Sequence, residues 1–162
     1  MTIQRNHLHL IVEADTKHAL IRGVWGFEVS AARHINAAIT TRTGRRRRGT
    51  VFADRYHARA LTSPRAVRHA IAYVLNNWLH HKEQAALFAR NWNVDPYASS
   101  IFFEGWKEHE HAVWCWKPPK GYEPLVVWRP RTWLLKVGWS KRHGLISMRA
   151  VPGPRTEPHG AG

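Results

Sequence analysis

The chain is poor in cysteine, in acid and in long apolar runs. A single thiol, Cys115, stands among 162 residues. One cysteine excludes an internal disulfide and a cysteine-based zinc module, and it fits a reducing cytoplasm. Eleven acids face 25 lysines and arginines, a formal charge of +14. An excess of that size opposes compaction, so folding does not explain it. It points to a polyanionic partner, nucleic acid before an anionic membrane. No apolar run reaches the roughly 20 residues of a membrane span, and no basic amphipathic helix stands apart from the core pattern. Polar and charged residues within the first seven positions argue against a signal peptide. The sequence has no Gly-x-x-x-x-Gly-Lys loop, no nucleophile elbow and no internal repeat.

What is there suffices for one ordinary domain and an appendage: 44% of the residues are apolar, nine of them tryptophan. The chain is organised around Asn6-His7-Leu8-His9-Leu10-Ile11-Val12-Glu13. Its alternation predicts a strand with Leu8, Leu10 and Val12 on one face and His7 and His9 on the other. Two neighbouring neutral imidazoles make half a site for a divalent metal. The plainer alternative is a sheet face that happens to carry two of the 12 histidines. Residues 1–4 read as too short to form an element.

Asp15 or Thr16 reads as the N-cap of a helix from residue 17 to about 39. Leu20, Val24, Phe27, Ala31, Ile35 and Ala38 recur at steps of three and four, a stripe expected to face the core. Residues 40–49 are of a different kind, Thr-Thr-Arg-Thr-Gly-Arg-Arg-Arg-Arg-Gly. Seven arginines and one acid, Asp54, lie between Arg42 and Arg59. Arg45, Arg46, Arg47 and Arg48 must be solvated or paired, and phosphate contact is favoured over a plain charged loop. Residues 50–61 look extended, with Phe52, Arg55, Tyr56 and His57 mixing ring faces and charge as a single-strand binding edge or an ordinary edge strand would.

Ser63-Pro64 is a helix start, serine at the N-cap and proline in the first turn. The helix is expected to reach about residue 80, with Val67, Ala70, Ile71, Val74 and Trp78 buried. Tyr73 and Asn77, four apart, share a flanking face. A fray or second short helix comes next, then a turn at Asp95-Pro96-Tyr97-Ala98-Ser99-Ser100. His109-Glu110-His111, among acids, reads as solvated surface. Residues 131–139 read as a short helix, and 151–162, rich in proline and glycine, as a disordered tail. Trp106, Trp114, Trp116 and Trp133 either form a small cluster or stack on bases.

Taken together these residues resemble the REP-associated tyrosine transposases, bacterial members of the single-tyrosine HUH transposase superfamily. The likeness runs from Asn6-His7-Leu8-His9-Leu10-Ile11-Val12 through Gly49-Thr50-Val51-Phe52-Ala53-Asp54-Arg55-Tyr56-His57 to Tyr73-Val74-Leu75-Asn76-Asn77. It covers about residues 5–106. Trp78 stands where the family's helix motif has proline. The resemblance implies an α+β fold, a ferredoxin-like antiparallel sheet with packed helices, plus a small Trp-rich C-terminal extension. Family members carry a strand, a helix and a strand ahead of the histidine strand, so it also implies that this N-terminal strand-helix-strand is missing. The expected organisation is a transposase-like catalytic domain over 1–90, the extension over 91–150 and the tail over 151–162.

The resemblance implies Tyr73 as nucleophile, and His7, His9 and Asn77 as ligands of magnesium or manganese. The reaction it implies is cleavage and transfer of single-stranded, hairpin-bearing DNA through a phosphotyrosine, in the cytoplasm at the nucleoid, by a monomer or homodimer. From charge, Arg45, Arg46, Arg47, Arg48, Arg55 and Arg59, with Tyr56, are assigned to the DNA backbone. Two rivals stand beside this reading. One is a DNA-binding remnant without catalysis. The other is a structural metal protein using His7, His9 and His57, which the charge excess disfavours.

Overall fold

A computed structural model describes residues 1–47, 49–53, 55–109 and 120–153. Arg48, Asp54, Glu110, His111, Trp114, Cys115, Trp116 and most of the expected tail (154–162) lie outside the described residues. The fold is α+β, helices with a two-stranded antiparallel sheet. Packing divides the chain into Met1–Ile11 with Leu61–Gly162, and Val12–Ala60.

The first unit is built on helix α2, Pro64–His80. It starts where Ser63-Pro64 predicts: the Ser63 hydroxyl oxygen accepts from the Ala66 N–H at 3.2 Å. Val67, Ile71, Val74 and Leu75 pack against Val94, Ala98, Trp106, Trp139 and Ile146. The second half of α2 is enclosed all round, because Val74, Leu75, Asn76, Asn77 and Trp78 are all buried. Trp78 turns away from the main core to a smaller one with Ala89 and Trp92. The expected fray becomes two short 3₁₀ turns, Glu83–Ala85 and Leu87–Ala89.

Residues 1–4 form an element after all. Strand β1, Thr2–Ile3, pairs antiparallel with β2, Leu8–His9, in the register Thr2 to His9 and Ile3 to Leu8. Two residues are too few to show periodicity, so the sequence pattern is blind to such a strand. On its other edge β1 is held by the turn at Asp95: Ile3 N–H donates to Tyr97 O at 2.8 Å, and Ser99 N–H to Met1 O at 2.9 Å. Below the pairing, buried Asp95 accepts from the Thr2 hydroxyl at 3.0 Å and from the Tyr97 N–H at 2.8 Å. The turn beyond Asp95 thus holds the histidine strand in place through its neighbour.

The C-terminal part closes the same core. A π-helical segment, Leu134–Gly138, lies within the expected helical region 131–139 and runs into a short helix α3, Trp139–Lys141, that ends two residues beyond it. Side chains of α2 hold the stretch beyond α3: Arg68 donates to Leu145 O at 3.0 Å, and Asn76 to Ser147 O and Ala150 O at 3.0 and 2.9 Å. Trp106 is fully buried and donates from its indole to Ser100 O at 2.9 Å, so it belongs to the core and is out of reach of bases.

The second unit is helix α1, Lys17–Thr43, with the loop after it. Thr16 caps it, accepting from Ala19 N–H at 3.0 Å, and Gly44 ends it in the left-handed region at φ 67°. The expectation that its apolar stripe is core is not met. Val24 alone is buried; Phe27 is 38% and Ile35 40% exposed. A stripe is buried only by an opposing layer. Among the described residues of 49–60, Val51 and Phe52 are half-buried and the rest are exposed. The described residues between 49 and 62 carry no strand, so the edge-strand expectation also fails there.

Candidate active site

Sheet pairing fixes the first two candidate residues. His7 lies just before β2 and His9 ends it, and their rings meet edge to face with centroids 4.7 Å apart. His7 Nε2 and His9 Nε2 are 3.0 Å apart. His7 Nδ1 lies 2.7 Å from Asn6 Oδ1. An amide oxygen can only accept, so the proton of neutral His7 is on Nδ1 and its Nε2 presents a lone pair toward His9. Asn6 therefore orients the ring, the kind of support that metal-binding histidines receive. Sequence reading gave Asn6 no role of its own; its place directly before His7 was the available signal.

Helix α2 brings the next two. Tyr73 is half-buried, and its ring meets that of His9 at a centroid distance of 5.1 Å and an angle of 76°. Residues from distant parts of the sequence are thus placed side by side. Asn77 lies one helical turn further on, where side chains four apart are neighbours at about 5–6 Å between Cβ atoms. It is fully buried, and neither Oδ1 nor Nδ2 has a hydrogen-bond partner. An unsatisfied buried polar group costs about 1–3 kcal/mol. An amide with both ends orphaned in a packed helix is an expensive way to fill space.

These residues fit a divalent ion. With the His7 proton on Nδ1, the 3.0 Å contact is a hydrogen bond in which His9 Nε2–H donates to His7 Nε2; a divalent ion held by both rings would take the place of that proton. An orphaned amide oxygen is the kind of donor magnesium and manganese accept. Among the described residues, no group of three or more histidine, cysteine, aspartate or glutamate side chains is placed to hold a metal. The unpartnered buried amide of Asn77 is a further polar group on the same helix as Tyr73.

The basic residues belong to the other unit. Arg45, Arg46 and Arg47 line a shallow open concavity with Gly49. Arg45 and Arg46 are exposed, whereas Arg47 is tied down. Its guanidinium donates to Asn36 Oδ1 at 3.0 Å, Gly49 O at 3.2 Å and Thr50 O at 3.0 Å. Arg47 thus folds the loop onto α1, while Arg45 and Arg46 stay exposed. Arg55, Tyr56 and Arg59 are exposed. Compared with known proteins, the chain matches no family model, no curated protein and no solved structure.

Proposed function

We propose that this chain is a metal-dependent tyrosine transposase of the single-tyrosine HUH type, cutting and rejoining single-stranded, hairpin-bearing DNA. The observation that carries the reading is the meeting of Tyr73 with His9, while His7 Nε2 turns onto His9 Nε2. Three residues named by two separate motifs fall into one cluster. The fold that goes with this reading is ferredoxin-like, with β1, β2 and α2 as one part of it.

In this reading His7, His9 and Asn77 would hold magnesium or manganese, which would supply Lewis acidity toward a phosphoryl oxygen. The chain's own residues do the rest. Asn6 fixes the tautomer and angle of His7. The turn at Asp95 fixes β1, and through it β2 with His9; Gln4 N–H donates to the carbonyl of His7, just before β2. Tyr73 supplies the nucleophile: its phenolic oxygen forms a bond to phosphorus as the bond from phosphorus to the 3′ oxygen breaks. The phenolic proton leaves to water and the departing 3′ oxygen takes one up. The phosphodiester is kept as a tyrosine ester, so a second 3′ hydroxyl can reverse the exchange without ATP. Arg45, Arg46, Arg55 and Arg59 neutralise backbone phosphates, with Tyr56 beside them.

The test is a denaturing gel of the chain with end-labelled, hairpin-tailed single-stranded DNA and manganese. Label should shift onto protein, and should fail to do so with chelator or with Tyr73→Phe. DNA retention in a native gel with no adduct under any of these conditions would favour the DNA-binding remnant instead.

A further inference from the structure

The segment between Tyr122 and Leu134 is fastened at both ends and bare in the middle. Tyr122 donates from its hydroxyl to Pro96 O at 2.8 Å and stacks at a tilt on Trp92, ring centroids 4.6 Å apart. Leu134 packs against the main core. Between them Trp128 is 97% exposed and Val126 80%. Trp133 is also partly exposed, yet its ring covers Gly138 so closely that a Cβ there would lie 2.6 Å from it. Trp128 has no such seat. Large aromatic side chains are rarely left wholly in water.

The chemistry around Trp128 selects the occupant. Arg129 and Arg131 flank it across Pro130, whose ring fixes its own φ. From Pro124 to Ala150 there are six lysines and arginines and no acid. A second copy of a chain with charge +14 would bring like charge against like. A single-stranded nucleic acid offers base faces for the exposed indole and phosphates for the surrounding excess of positive charge. We infer that Trp128, with Arg129 and Arg131, is a base-stacking contact for single-stranded nucleic acid in the C-terminal region. The contact needs neither Tyr73 nor a metal, so it goes beyond the strand-transfer reading and fails or survives separately from it.

The experiment is equilibrium binding of the full chain to a labelled single strand of about 16 nucleotides and to an abasic strand of the same length. Trp128→Ala should weaken binding to the normal strand by about tenfold, in the range that removal of a stacking aromatic gives. Trp128→Phe should restore most of it. The abasic strand should bind both proteins alike, and the loss on the normal strand should be the same with and without chelator. Because the side chain is almost wholly exposed, the thermal midpoint should not move. Binding of Trp128→Ala within about twofold of the parent would overturn the inference. So would an equal loss on the abasic strand, or an effect confined to anionic vesicles or to oligomeric state.

Discussion

The ring of His9, at the end of β2, meets the ring of Tyr73 on α2 edge to face, with centroids 5.1 Å apart. Removing the Tyr73 hydroxyl leaves this contact intact. Tyr73→Phe should therefore melt within a few degrees of the parent chain while losing all DNA adduct. Calorimetry beside the gel checks both halves; a large drop in melting temperature would make Tyr73 a structural residue first.

Asn77 sets stability against the proposed site. Replacing a buried unpaired amide by an apolar group of similar shape removes a desolvation penalty of about 1–3 kcal/mol. Asn77→Leu should raise the metal-free thermal midpoint and abolish any further rise on adding manganese. The parent chain should show the opposite: a lower midpoint that manganese lifts, because a ligand bound only to the folded state stabilises it. Equal manganese response in both proteins would remove Asn77 from the site.

How much of the fold and site was legible in the sequence depends on how local the cause is. Helix α2 was legible at both ends, because Ser63-Pro64 and the repeat of Val67, Ile71 and Val74 are local signals. The shared face of Tyr73 and Asn77 comes from the same periodicity. The boundaries of α1 were approximately legible, but the exposure of Phe27 and Ile35 was not, since burial depends on a layer that the pattern cannot count. Strand β1 was missed because two residues are too few to show a period, and its second neighbour, Ala98, lies far along the chain. That His9 meets Tyr73 was carried by the family resemblance; no spacing within the chain requires it.

Asp95 makes the support of the histidine strand sensitive to pH. Burial raises its pKa from 3.8 to about 6, against the Tyr97 N–H and the Thr2 hydroxyl, which favour the carboxylate. The folded chain therefore holds this proton more tightly than the unfolded chain does. The resulting stabilisation is complete below the unfolded pKa and is lost as pH rises through about 6. At ~1.4 kcal/mol per unit the loss is about 3 kcal/mol. Denaturant titrations from about pH 3.5 to 7.5 should show it, and Asp95→Asn should flatten that part of the profile.

Gly105 sits between two core rings. A Cβ there would lie 2.5 Å from both Phe103 Cζ and Trp139 Cη2. Both rings are packed, Trp139 in the buried core and Phe103 against Trp106. Gly105→Ala should destabilise the chain by about 1–3 kcal/mol, the usual cost of overpacking. Chemical denaturation measures it directly, and an unchanged midpoint would mean that the rings part freely.

Arg47 and Arg45 should separate scaffold from contact. Arg45→Ala should lower the salt slope of single-strand binding by about 0.7, one phosphate's worth. Arg47→Ala frees Asn36 and the Gly49 and Thr50 carbonyls, so it should loosen the loop and reduce affinity with a smaller change in slope. Binding isotherms at several salt concentrations distinguish the two.

The proposed strand transfer requires that Tyr73 carry the DNA. The measurement is peptide mapping by mass spectrometry of the adduct formed with manganese and hairpin-tailed single-stranded DNA. The expected result is a nucleotide-bearing peptide that contains Tyr73, with the phosphate on its phenolic oxygen. A nucleotide on Tyr56, Tyr97 or Tyr122, or DNA bound with no covalent product at all, would contradict it.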